Sequence, residues 1–272
     1  MRRTFSGWFA AVFIFALTPV PAMSDAPTFR ISDVTPVGSW AEREQRTVNH
    51  KKKETLSVMR QTLVGKEDRD GETHYWVETE ATNYKITKKG EKKKQGQTTI
   101  IKALIAGSMF DADPANISNN LTGFGKEIIF QTGNEQPMRM KEGGTMADFM
   151  MKALGVKVDY TFTSAGNDTV EIPAGTFNAQ KFTGTGSVDT RILIQKISIR
   201  SESEFWMTPE LPFGFAHMIS KETVNKKPQS SEASVTSYGM SGGTSKITQE
   251  PVDFMGGGDQ KGIKFKDLIP GG

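Results

Sequence analysis

After Ile31, the apolar side chains of this chain recur mainly with a period of two residues, which is typical of β-strands with one buried face. The clearest example is residues 156–163, in which every even position is apolar and every odd position is polar. Residues 71–81 alternate in the same way, and residues 191–207 form a run much longer than the ~5–6 residues of a common strand. Because strands of this length suit a strongly curved sheet, we predict a mostly β protein.

The remaining strand candidates are bounded by turn residues. They are residues 38–45, 55–64, 98–105, 126–131, 170–172, 176–183, 215–221 and 234–238. Between two of these candidates, Pro173 and Gly175 occupy the second and fourth positions of a predicted type I turn.

One clear helix pattern interrupts the strands. Thr145 can cap it and Gly155 can end it, and between them apolar residues follow the helical i, i+3, i+4, i+7, i+8 spacing. Five methionines fall within residues 138–151, and methionine-rich surfaces accept apolar partners of varied shape. The helix therefore either covers an apolar groove or fills an ordinary core. A weaker helical pattern covers residues 113–119. The candidate groove residues are Met146, Phe149, Met150, Leu154 and Trp206.

The first 24 residues have the pattern of a cleaved secretory signal peptide. Arg2 and Arg3 precede a short apolar run, and small residues follow at Ala22 and Ser24. The apolar run is shorter than the ~20 residues that a membrane-spanning helix needs. We therefore expect an exported protein, located in the periplasm because an exported chain without cysteine fits that compartment better than a eukaryotic exterior.

From residue 239 onward, glycine pairs and triplets alternate with polar residues, and we predict a flexible tail over residues 241–272. Residues 239–243 match the G-x-S-x-G nucleophile motif, which needs a helix after it and a histidine later in the chain. No helical pattern follows Ser241, and the last histidine, His217, precedes it. We interpret the motif as a glycine-rich linker and expect no enzyme and no catalytic residue.

Composition excludes several classes of site. The chain has no cysteine, which excludes disulfides, cysteine-ligated zinc, iron–sulfur clusters and thiol catalysis. Only three scattered histidines are present, so we expect no metal and no cofactor. Removal of Arg2 and Arg3 leaves 32 of the 34 basic residues against 31 acidic ones, a net charge of +1. That charge balance does not favour binding to nucleic acid. We also expect the protein to be a monomer.

Two groups of motifs resemble those of periplasmic proteins with the fold of the outer-membrane lipoprotein carrier (LolA-like). The first group runs from residues 170–177 through 204–207 to the Pro-Phe-Gly motif of residues 209–215. The second group comprises residues 38–40, 75–78 and 101–105.

The resemblance implies an incomplete antiparallel half-barrel over residues 25–240, with one or two helices plugging its open face. It also implies a periplasmic binding or carrier protein for an apolar ligand, such as an acyl chain or a lipoprotein. The alternative is a non-enzymatic structural or interaction protein of the envelope, with a filled core and no ligand. The motifs are more specific for the fold than for either function.

Two lysine clusters fall in predicted hairpin loops, between the first and second strands and between the third and fourth. Alternate loops of an antiparallel meander emerge at the same end of the sheet, so we expect the two clusters to lie together at one end of the strands. The partner would be an anionic membrane surface or an acidic protein, and the alternative is two solvated hairpin tips. The clusters are Lys51, Lys52, Lys53 and Lys88, Lys89, Lys92, Lys93, Lys94.

Overall fold

The computed structural model describes residues 29–87, 89–111, 126–141, 157–192 and 195–253. Within these residues the protein is mostly β, as predicted, with two four-residue α-helices and one 3-10 turn. The helical elements are α1 (Ile31–Val34), α2 (Gly107–Phe110) and the 3-10 turn Pro212–Gly214. The strands are β1 (Trp40–Asn49), β2 (Glu54–Arg69), β3 (Glu72–Ile86), β4 (Lys92–Ala106), β5 (Glu127–Thr132), β6 (Met138–Lys141), β7 (Lys157–Ile172), β8 (Gly175–Ile192), β9 (Gln195–Met207), β10 (Phe215–Val224), β11 (Lys227–Gly239) and β12 (Val252–Asp253).

The twelve strands form one sheet in the order β12-β6-β5-β4-β3-β2-β1-β11-β10-β9-β8-β7. All neighbours pair antiparallel except β12, which runs parallel to β6. Because β12 and β7 lie at opposite ends of this order, the sheet is open and does not close into a barrel. The predicted open antiparallel sheet is thus confirmed.

Two strands are longer than the sequence patterns indicate. The patterns at residues 156–163 and 170–172 belong to one strand, β7, which has a bulge between Ser164 and Asn167. A bulge adds a residue to one strand and shifts its pleat, so the alternation breaks although the strand continues. Strand β8 extends beyond the candidate at residues 176–183 and includes the start of the run at residues 191–207, whose larger part forms β9.

The sheet curves strongly enough to bring distant strands together. Met59 of β2 packs in one cluster with Phe162 of β7, although five strands separate β2 from β7 in the sheet. Phe205 of β9 lies between them, with its ring centroid 5.2 Å from those of both Phe162 and Phe182. We call the face that carries these side chains the inner face. Its apolar residues form the main core of the described chain.

The predicted helix at residues 145–155 and the weaker one at residues 113–119 lie outside the described residues. The helices that would plug the open face therefore stay a prediction. The signal peptide, residues 1–24, also lies outside the described part of the chain and stays a prediction.

Residues 240–253, which we call the strap, cross the face opposite to the inner one. The strap leaves β11 where the backbone N–H of Gly243 donates to the carbonyl of Gly38, at 2.7 Å. It then covers Glu78 of β3, whose side chain is 2% exposed. The Glu78 carboxylate accepts hydrogen bonds from Ser245 Oγ at 2.5 Å and from the backbone N–H of Lys246 at 2.7 Å.

The far end of the strap joins the edge of the sheet. Gln136 and Arg139 donate to the carbonyl and the carboxylate of Glu250, at 2.6 and 3.0 Å. The backbone N–H of Val252 donates to the carbonyl of Pro137, which starts the short strand β12 beside β6. Residues 241–253, assigned to a flexible tail from composition, are therefore held on the sheet, and residues 254–272 lie outside the described chain.

Replacing Glu78 by alanine is expected to free the middle of the strap. The substitution removes the acceptor of two hydrogen bonds, and a hydrogen bond to a charged group contributes about 1.5–3 kcal/mol. Trypsin cleavage after Lys246, measured by mass spectrometry of a limited digest, should become about tenfold faster or more. The reason is that the strap leaves the sheet more often, and only the open strap is cleaved. Glu78→Gln retains one acceptor oxygen and should give an intermediate rate. Equal cleavage rates in all three proteins would contradict this role of Glu78.

Candidate interaction surface

Three hairpins bring lysines to one end of the sheet. The β1–β2 hairpin, the β3–β4 hairpin and the β10–β11 hairpin are successive neighbours in the strand order and point the same way. Their exposed lysines form a surface that we call the basic rim. Its described members are Lys51, Lys52, Lys53, Lys89, Lys92, Lys93, Lys94, Lys226 and Lys227. The structure thus places the described members of the two predicted clusters at one end, and Lys88 lies outside the described residues.

The β10–β11 hairpin is a part of the rim that the sequence analysis does not predict. Its register pairs Val224 with Lys227, which leaves Asn225 and Lys226 as a two-residue turn. Strand β11 lies beside β1, so this turn emerges next to the β1–β2 loop. Asparagine is a favoured residue at the first central position of such a turn, so Asn225 is a local signal for it. The pairing of β11 with β1, which brings it to the rim, has no local signal.

Side chains within the loops hold the backbone of the rim. Asn49 Oδ1 accepts hydrogen bonds from the backbone N–H groups of Lys51 and Lys53, at 2.9 and 3.1 Å. In the β3–β4 loop, Thr87 Oγ1 accepts in the same way from Lys89 and Glu91, at 3.3 and 3.2 Å. Such Asx and ST turns fix the loop, so the lysine side chains project from a defined backbone.

Most rim lysines have no acidic partner among the described residues. Lys92 is the exception, because its Nζ lies 2.5 Å from the carboxylate of Glu44 on β1. Glu54, the acidic residue nearest in sequence to the first cluster, pairs instead with Arg46 at 2.9 Å. The remaining lysines of the rim form no ion pair with any residue in the described ranges. The rim therefore carries uncompensated positive charge.

The opposite end of the sheet is electrically balanced. There the guanidinium of Arg69 lies 2.7 Å from the carboxylate of Glu67, and Nζ of Lys126 lies 3.7 Å from the carboxylate of Asp70. Arg30 likewise lies 3.3 Å from Asp111. Since these three basic residues are paired and those of the rim are mostly not, the described part of the protein carries a charge asymmetry along its strands.

Only one of the five groove candidates, Trp206, falls within the described residues. Met146, Phe149, Met150 and Leu154 lie outside the described residues. Trp206 belongs to a cluster different from that of its neighbour Phe205 and is 7% exposed. Because successive side chains of a strand point to opposite faces, Trp206 does not line the inner face.

Trp206 contacts residues of the neighbouring strands β7, β8 and β10. Its indole Nε1 donates to the carboxylate of Asp168 on β7 at 3.1 Å, and Lys181 Nζ lies 4.8 Å from its ring centroid. Its ring centroid is also 5.1 Å from that of His217. The environment is that of a packing residue that attaches β7 to β9.

The inner face also carries buried polar side chains. Arg43 is buried opposite Met59, with its guanidinium 5.4 Å from the Phe215 ring centroid, and loss of hydration lowers its pKa to about 10. Burial also raises the pKa of Tyr160, although the side chain of Ser201 hydrogen-bonds to it and opposes the shift. Both pKa shifts reflect the loss of hydration of buried side chains on the inner face.

The described residues contain no group of three or more His, Asp or Glu that could hold a metal ion. None of their helices is long and apolar enough to cross a membrane. The G-x-S-x-G motif is followed by the strap, and the strap contains no helix, so the structural context of a nucleophile elbow does not occur there.

Two solved structures of bacterial proteins are similar to this chain. One is described as a "putative lipoprotein" from Parabacteroides distasonis, with 14% identity over 76% of this chain and 98% of that chain, and a TM-score of 0.37. The other is described as a "putative exported protein with YmcC-like fold" from Bacteroides fragilis, with 12% identity over 75% of this chain and 97% of that chain, and a TM-score of 0.35. No family model matches the chain, and no curated protein matches it. The resemblance to the lipoprotein carrier family stays a prediction.

Proposed function

We propose that this chain is an exported, non-enzymatic protein of the bacterial envelope that attaches to an anionic surface through its basic rim. The observation that supports this proposal is the exposed row of lysines on three adjacent hairpins, most of them without an acidic partner in the described chain. The signal-peptide pattern of residues 1–24 supports export to the periplasm.

Charge of this density is sufficient for binding. Each lysine near an anionic lipid surface contributes about 1 kcal/mol, and several lysines act together when they reach the same surface. The attraction is screened by salt, since the Debye length falls from ~10 Å at 0.1 M to ~3 Å at 1 M ionic strength. Attachment through the rim should therefore be strong at low salt and weak at high salt.

Vesicle co-sedimentation tests the proposal. The purified protein should pellet with vesicles that contain phosphatidylglycerol and should remain in solution with vesicles of phosphatidylcholine alone. Changing Lys51, Lys52, Lys53 and Lys93 together to glutamine should weaken binding to the anionic vesicles about 10²–10³-fold, because four contributions of ~1 kcal/mol are lost.

Two control variants separate rim charge from general effects. The same four lysines changed to arginine keep their charge and should leave binding close to that of the wild type. Lys66→Gln removes a charge from the opposite end of β2 and should have little effect. Equal pelleting of the wild-type protein with neutral and anionic vesicles would refute attachment through the rim.

A second candidate function is carriage of an apolar ligand such as an acyl chain or a lipoprotein. It is favoured by the curved, open sheet with phenylalanines and methionines on its inner face. The ligand contacts would come from Phe149 and Met150, in the segment outside the described residues. Native mass spectrometry of protein from its own host should detect bound lipid if the carrier function holds. Lipid binding that is unchanged in Met150→Gln would contradict the groove.

A further inference from the structure

Two hairpins of this sheet have the same two-residue turn at opposite ends. The β2–β3 turn consists of Asp70 and Gly71, with φ of 55° and 79°. The β10–β11 turn on the basic rim consists of Asn225 and Lys226, with φ of 50° and 66°. Turns with positive φ at both central residues favour Asn-Gly or Asp-Gly. The rim turn therefore has lysine at the position where the opposite turn has the usual glycine.

A second pair of hairpins shows the same replacement. The β3–β4 loop is closed by hydrogen bonds from Gly90 N–H to the Thr87 carbonyl and from Thr87 N–H to the Glu91 carbonyl, and Gly90 has φ of 81°. The β1–β2 loop has the equivalent bonds, from Lys52 N–H to the Asn49 carbonyl and from Asn49 N–H to the Lys53 carbonyl. Lys52, at the position of Gly90, has φ of 55°.

Lysine is an unfavourable choice at these positions. The left-handed region brings Cβ close to the following carbonyl oxygen, and only glycine, asparagine and aspartate adopt it routinely. The described chain has five non-glycine residues with positive φ, and two of them are Lys52 and Lys226. Both are exposed, and neither forms an ion pair with a described residue. Hydrogen bonds of the β1–β2 loop hold the Lys52 backbone in this conformation, but no ion pair of either lysine side chain offsets the strain.

We propose that Lys52 and Lys226 are contact residues of the rim and bind the headgroups of an anionic phospholipid bilayer. Their hairpins are adjacent in the sheet, and neighbouring tips lie about 10 Å apart, which is twice the spacing between neighbouring strands. A row of adjacent tips fits a broad surface of distributed negative charge better than a single anion. This inference rests on attachment through the rim and identifies the partner and the residues that reach it.

Exchange of each lysine for glycine should change stability and binding in opposite directions. Lys52→Gly and Lys226→Gly relieve the backbone strain, and each should raise the Tm by about 1–3 °C, measured by circular dichroism. Each should also weaken binding to vesicles containing phosphatidylglycerol about fivefold. The double variant should show about the sum of both effects.

Matched variants separate the effect of charge from the effect of backbone strain. Lys226→Arg keeps the charge and the strain, so its Tm and its vesicle binding should both equal those of the wild type. Lys66→Gln tests whether the loss of any one positive charge weakens binding, and we expect no change.

Three outcomes would overturn the inference. If both glycine variants bind the anionic vesicles as tightly as the wild type while the four-lysine glutamine variant does not, Lys52 and Lys226 are not contact residues although the rim still attaches. If the wild-type protein binds polyglutamate but not the vesicles, the partner is an acidic polypeptide. If the glycine variants melt at lower temperature than the wild type, the strain argument is wrong.

Discussion

Replacement of Gly184 by valine is expected to lower the free energy of unfolding by about 3 kcal/mol, because the new side chain would overlap a buried ring. A Cβ atom at residue 184 would lie 2.2 Å from two ring carbons of Phe162. That ring cannot move away easily, since it is 7% exposed and packs edge-on against Phe205. Valine is the better strand former by up to ~1 kcal/mol, but the overlap destabilises the fold by more than this gain. Urea unfolding monitored by circular dichroism measures the difference.

The matched control is Gly65→Ala. Gly65 lies in strand β2, and the nearest atom to its Cβ would be Cδ1 of Trp76 at 3.8 Å, which is ordinary van der Waals contact. The free energy of unfolding should change by less than about 1 kcal/mol. A Gly184→Val protein as stable as this control would mean that the Phe162 ring does not lie over β8.

Strand positions in this chain are predictable because one face of the sheet is buried. The alternation at residues 156–163 reflects the packing of Phe162 toward the inner face, and it identifies part of β7 correctly. Strand order is not predictable in the same way. The pairing of β1 with β11 joins residues far apart in the sequence, as in Ala41 opposite Tyr238, about 200 positions later, and no local pattern encodes it. The bulge between Ser164 and Asn167 likewise breaks the alternation within a continuous strand.

The strap shows why composition misleads at residues 241–253. Glycine and serine favour disorder when only local preferences act. Here the backbone of Lys246 and the hydroxyl of Ser245 satisfy the buried carboxylate of Glu78, which lies 167 residues away from Ser245 in sequence. A buried charged group without partners is costly, so the sheet itself favours an ordered strap.

Lysine clusters are visible in the sequence because they are contiguous, and hairpin topology is sufficient to place them at one end. Their electrostatic environment is not visible there. Glu44 neutralises Lys92 although two strands, β2 and β3, lie between their own strands. The contribution of Lys226 also depends on the position of β11 beside β1.

The second large effect is expected at Phe213, a buried aromatic residue with φ of 63°. Its ring centroid lies 6.5 Å from that of Phe110, and its backbone N–H donates to Thr35 Oγ1 at 2.8 Å. Truncation of a buried phenylalanine costs about 3–5 kcal/mol, whereas relief of a left-handed backbone returns about 1–2 kcal/mol. The lost packing outweighs the relieved strain, so Phe213→Gly should reduce the free energy of unfolding by about 2–3 kcal/mol.

Comparison with alanine separates the two contributions at this position. Phe213→Ala loses the same packing but keeps the strained backbone, so it should be less stable than Phe213→Gly by about 1 kcal/mol. This order is the reverse of that at ordinary strand positions, where glycine is the less stable of the two. Lys226 provides the counterpart on the surface, because glycine there relieves the same kind of strain and removes no buried contact. Urea unfolding of the four variants (glycine and alanine at each position) should therefore place glycine above alanine at both sites. Only at Lys226 should the glycine variant exceed the wild type.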